Sequence, residues 1–204
     1  MRTPLMLEKT RIEALSDGVF SIAMTLLVLK LEVPEVMHHS SDDQMLRQLL
    51  ALGPQFATYV VTFLIAGGFW FLHHLTFHFI RFANGVLVWL NLLFLMFVAL
   101  LPFSAGLMAH LFVHPVSQLF YFGNELAIAL LLSVHWWYAR RSGLVVIENA
   151  DARRSGRLTL RVGGAAGALA ACLITAMLAP RWSWVPLPVF LAGGVIVESR
   201  KGRC

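Results

Sequence analysis

Apolar stretches separated by short polar segments recur six times along the chain, near residues 17–33, 53–74, 86–108, 117–138, 162–178 and 184–197. Each approaches the roughly 20 residues that an α-helix needs to cross a hydrocarbon core of about 30 Å. The last is short and carries Pro186 and Pro188. Strands of a membrane barrel alternate polar and apolar positions, whereas the run from Leu92 to Leu101 is apolar on every side. Backbone polar groups must be satisfied internally in lipid, so the pattern predicts an all-α membrane protein with six transmembrane helices in one domain, 1–204.

The polar positions refine this plan. Thr3 and Pro4 suit a helix start, and no breaker follows until Pro34, so the first helix is expected to run from below the membrane through to that proline. Segment 35–52 holds His38, His39, Asp42, Asp43 and Arg47 and reads as an external loop, with a short helix beginning at Asp42. Segment 140–161 is the longest inner connection, and 181–183 makes the last two helices a tight hairpin. Gly163, Gly167 and Ala170 or Ala171 form a small-residue stripe that permits close helix packing.

Composition agrees. Of 204 residues, 58% are hydrophobic and 13% charged, too few polar groups to coat a water-soluble globule of this size. Charge then gives direction. With the N-terminus inside, every basic residue except Lys30, Arg47 and Arg181 falls on the inner side, the asymmetry of the positive-inside rule, which places both termini in the cytoplasm. That topology accounts for the basic pI without nucleic acid, and Arg153, Arg154 and Arg157 can also meet anionic lipid headgroups. The two cysteines, Cys172 and Cys204, lie too far apart to bridge and say nothing of redox compartment. The first apolar stretch has no small-residue cleavage site behind it and is expected to remain in the mature protein.

The most unusual stretch spans 11–34. At about 100° per residue, Leu15, Gly18, Ile22, Thr25, Leu26, Leu29 and Val33 share one face, apolar apart from one hydroxyl. Ser16 and Asp17 lie elsewhere on the circumference, at a depth where an ionised carboxylate needs a partner on another helix. Taken alone, such a stripe is ordinary packing surface.

Arg11, Ser16 and Asp17 stand where an Arg-x-x-x-Phe-Ser-Asp signature has its polar residues, with Leu15 replacing the Phe. With Gly18-Val19-Phe20 and Thr25-Leu26-Leu27, and with Trp70, His73 and His74 late in the second helix, the sequence resembles the transmembrane protein 175 family of potassium channels. The resemblance implies a cation channel without a Thr-Val-Gly-Tyr-Gly filter, a sequence absent here, and a bacterial homotetramer, since the chain has one six-helix repeat. It further implies a central pore lined by the first helix, a hydrophobic constriction at Ile22, Leu26 and Leu29, and a selectivity layer at Thr25. Arg11, Ser16, Asp17, His73 and His74 become a structural latch that holds the pore helix. The expected setting is a plasma membrane, the partners are lipid, potassium ions and three further copies, and no cofactor or covalent chemistry is called for.

Other constellations support less. His74 and His78 have the i, i+4 spacing of a metal pair, but lack a third ligand and a general base, which argues against a metalloenzyme. Glu125 beside Asn124, with His135, Trp136 and Trp137 further along, leaves a proton-coupled carrier as the alternative, although the inverted repeats and interrupted helices of carriers are not evident.

Overall fold

The computed structural model describes residues 9–32, 41–111, 114–146 and 152–188. Helix α1 (Lys9–Leu26) is followed by a 3₁₀ turn (Val28–Lys30), then α2 (Asp42–Ala51), α3 (Gly53–Phe79), α4 (Gly85–Ala99), α5 (Leu101–His110), α6 (Pro115–Arg141), α7 (Ala152–Leu178) and a second 3₁₀ turn (Pro180–Trp182). Five helical stretches are long and apolar enough to cross a membrane: Lys9–Lys30, Gly53–Phe79, Gly85–His110, Pro115–Arg141 and Ala152–Leu178. The expected sixth span lies mostly beyond residue 188, outside the described residues.

Local chemistry sets the element ends. Ser41 caps α2 in a reciprocal capping box with Gln44, and Asp42 and Asp43 favour the positive end of its dipole. Pro54 suits the first turn of α3, where its missing N–H has no intrahelical partner in any case. The Asn84 side chain accepts from the Leu87 N–H at 3.0 Å and starts α4. Gly143, at φ 66°, takes the left-handed conformation just after α6 and turns the chain away.

Two expectations about continuity change. The α-helix of the first span stops at Leu26 instead of running to Pro34; it tightens into the 3₁₀ turn, and Leu31 is extended at φ −84° and ψ 110°. Helix ends commonly tighten this way, and the proline three residues further on disfavours helix before it. Leu29 therefore sits on the turn. The expected third span is likewise broken, into α4 and α5, at Leu100. Pro102 supplies the reason, since its ring and missing N–H interrupt the ladder one turn back.

Helix α6 lies at the centre of the packing, with half of its apolar window buried, whereas only 28% of the corresponding window of α1 is. Phe20, Phe94, Tyr121 and Phe122 are fully enclosed in the main core. A second, smaller core of Ile12, Phe77, Ile80, Ala83, Leu87 and Ala139 closes the end of the bundle where α1 and α4 begin and α3 and α6 finish. The connections there are tied together by an isolated antiparallel bridge between Ile80 and Val145, in which the Arg81 N–H donates to the Leu144 carbonyl at 2.9 Å.

Candidate functional site

Helix α1 is divided lengthwise. Ile12, Ser16, Phe20, Ala23 and Leu27 recur at spacings of three and four and are buried. Turned away from them, Leu15, Gly18, Ile22, Thr25, Leu26 and Leu29 are exposed in the single chain, Ile22 to 61% and Leu29 to 72%. Lipid-facing residues are exposed on the other helices too, so exposure alone is not diagnostic. Thr25 distinguishes this face. Its Oγ1 donates to the Ile22 carbonyl at 2.9 Å, which commits its proton to the helix and leaves its lone pairs as outward acceptors.

The buried face is fastened by a polar cluster drawn from three helices. Ser16 Oγ donates to the Ile12 carbonyl at 2.9 Å and accepts from Asn91 Nδ2 of α4 at 3.2 Å. Asn91 Oδ1 lies 2.9 Å from His73 Nε2 of α3, and that nitrogen is 3.5 Å from Ser16 Oγ. The His73 ring is stacked on Phe94 at 5.2 Å between centroids and 11° between planes, and on Phe77 at 4.4 Å and 26°. Aromatic walls on both sides fix its orientation.

Asp17 takes a different partner, accepting a 2.8 Å hydrogen bond from Trp70 Nε1. His74 stacks on that same indole, at 5.9 Å and 25°. Helices α1 and α3 are thus joined by Ser16 to His73 on the buried side and by Asp17 to Trp70 nearer the edge. Arg11 is exposed near the start of α1 and, among the described residues, makes no ion pair; Lys9 and Glu13 pair there instead, at 3.6 Å. His74 and His78 are both exposed, and no group of three metal-ligating side chains is assembled among the described residues.

Asn91 is the member of this cluster that sequence reasoning missed. A single amide within the apolar run of the third span carries the signal, because such a group at membrane depth needs a partner. A second polar region lies deeper, where the Thr62 and Tyr121 hydroxyls are 2.8 Å apart, Glu125 is fully buried one turn along α6, and Asn124 donates to Ser104 Oγ and the Phe97 carbonyl at 3.3 Å.

Comparison with known proteins now decides the family. Residues 11–102, which contain all but the first two residues of α1, its cluster and the break before α5, match the model of the family described as endosomal/lysosomal potassium channel TMEM175. A potassium channel of Streptomyces collinus is 35% identical over 162 residues, 76% of this chain and 77% of that protein. The chain belongs to the TMEM175 family. The crystal structure of a lysosomal potassium-selective channel TMEM175 homolog from Chamaesiphon minutus superposes with a TM-score of 0.76 at 27% identity, covering 96% of this chain and 98% of the other. The mouse endosomal/lysosomal proton channel TMEM175 is 38% identical over 103 residues, and the match spans 48% of this chain and 21% of that much longer protein. TMEM175 is an ion-channel family, not an enzyme family.

Proposed function

We propose that four copies of the chain assemble with the exposed face of α1 around a central axis and let potassium ions pass down their gradient. The observation that carries this reading is the division of α1: a helix pinned by Ser16, Asn91, His73 and Trp70 on one side and uncovered on the other is suited to line a pore without losing its place in the fold. Three rings of four side chains each, from Ile22, Leu26 and Leu29, form an apolar neck that excludes water until the helices shift, while the outward lone pairs of Thr25 meet a partly dehydrated cation. Support for potassium comes from the bacterial relatives named for it. Gathering of Arg81, Arg140, Arg141, Arg153 and Arg154 at the end where α1 begins supports a plasma-membrane topology with both termini in the cytoplasm. No cofactor beyond the permeant ions enters the reading.

The animal relatives are named proton channels, which favours proton permeation as the second reading. Flux from liposomes containing the purified protein separates the two. Potassium efflux well above sodium efflux is expected. Acidification of a trapped pH dye without potassium flux would transfer the assignment to protons, and no flux of any ion from folded tetramer would remove the pore.

A further inference from the structure

At the basic end of the bundle, α6 and α7 part around a cavity of about 530 Å³, within the range of roughly 300–1,000 Å³ typical of small-molecule sites. Trp136, 3% exposed, forms its floor and donates its indole N–H to Thr159 Oγ1 at 2.8 Å. Arg140 Nη1 donates to the same oxygen at 3.1 Å, and the Thr159 hydroxyl donates in turn to the Ser155 carbonyl at 3.0 Å. Two bonds accepted and one donated satisfy that hydroxyl. Thr159 therefore serves to hold Arg140 at the rim, and among the described residues it is the one hydrogen-bond partner shown for that guanidinium.

Arg141 lies over the Trp137 ring at 4.5 Å, and Arg140 over Trp136 at 5.7 Å. Both guanidiniums are positioned by aromatic faces, and among the described residues no acidic side chain lines the cavity to neutralise them. Away from the arginines the wall includes Gly163 of α7, where an added Cβ would meet nothing within 4 Å. The cavity thus has a doubly cationic rim and an open, apolar depth.

A molecule suited to it is anionic at one end and apolar at the other. We propose that the cavity binds an anionic phospholipid, with its phosphate on Arg140 and Arg141 and the upper part of an acyl chain in the groove beside Gly163. Arginine forks match phosphate geometry and tolerate partial desolvation better than lysine. Positive-inside topology sets this end in the leaflet richer in anionic lipid. The inference stands apart from permeation, because it concerns helices on the far side of the core from the exposed face of α1.

Native mass spectrometry of the full-length protein in detergent, titrated with phosphatidylglycerol or phosphatidylcholine, tests it. Preferential retention of phosphatidylglycerol is expected. Arg140→Gln with Arg141→Gln should lower it by about tenfold or more, whereas Arg81→Gln with Arg153→Gln, which removes equal charge outside the cavity, should change it by less than about twofold. Gly163→Leu fills the groove without touching charge and should also release the lipid. Equal loss in both arginine pairs would overturn the site in favour of a diffuse basic surface, and so would undiminished retention in Gly163→Leu. Displacement by millimolar inorganic phosphate would overturn the lipid as occupant and leave a free-phosphate site. Each variant is read only as a monodisperse protein with an unchanged melting temperature, and Arg141→Gln alone, which disturbs no hydrogen bond to Thr159, serves if the pair does not fold.

Discussion

The two faces of α1 have nearly the same composition, each a row of apolar side chains with one hydroxyl in it, yet they are used in opposite ways. On the buried face Ser16 reaches across to Asn91 and His73, and Phe20 enters an aromatic cluster with Phe94 and His73 at 5.9 and 6.4 Å. On the exposed face Thr25 bonds back to its own helix, and Ile22 and Leu29 touch little within the chain. Hydrophobicity cannot tell these faces apart. What separates them is where the hydroxyl finds its partner, and the lesson is that one side of α1 is committed to the fold while the other is left free within the chain.

The comparison is broken most forcefully at Phe20. Only 2% of this side chain is exposed, so Phe20→Ala should cost about 3–5 kcal/mol and sharply lower the melting temperature of the detergent-solubilised protein. A variant that melts like the parent would show that the buried face does not hold α1. Substitutions on the other face should behave in the reverse manner. Ile22→Ala or Leu26→Ala should leave the melting temperature within a degree or two while raising potassium leak from liposomes about tenfold, equivalent to roughly 1.4 kcal/mol at the neck. Unchanged leak would place these side chains against lipid. Thr25→Ala is a smaller step on the same face, expected to shift the potassium-to-sodium ratio a few-fold with little change in total conductance; a ratio that does not move would deprive Thr25 of its role.

Much of the fold was legible because lipid is a demanding solvent: the five described spans all lie where apolar runs of sufficient length appear, and the short helix expected from Asp42 is present. The interruptions were harder. Pro102 was visible, but the apolar run continues on both sides of it, so hydropathy joined what backbone geometry divides. The polar contacts that join α1 to its neighbours were half legible. Trp70, His73 and His74 are clustered in sequence, but which of them meets Asp17 and which meets Ser16 depends on how α3 is rotated against α1, and single-helix periodicity does not contain that angle. Asn91 and the cavity between α6 and α7 need the partners of each helix to be known.

The gentlest test of the comparison concerns Asp17, which lies between the two faces. Its carboxylate accepts from Trp70 Nε1 at 2.8 Å, but its side chain is exposed in the single chain, where solvent and headgroups weaken the bond. Asp17→Asn retains an acceptor oxygen and gives up only the charge assistance, which roughly doubles the strength of a hydrogen bond. The expected loss is therefore below about 1 kcal/mol, seen as a modest decrease in the tetramer fraction on sizing, with the melting temperature of the remaining protein nearly unchanged. Trp70→Phe removes the donor outright and should lower the tetramer fraction further. If Asp17→Asn instead unfolds the chain as Phe20→Ala is expected to, Asp17 belongs with the buried face, and the boundary between the committed and free sides of α1 moves by one residue.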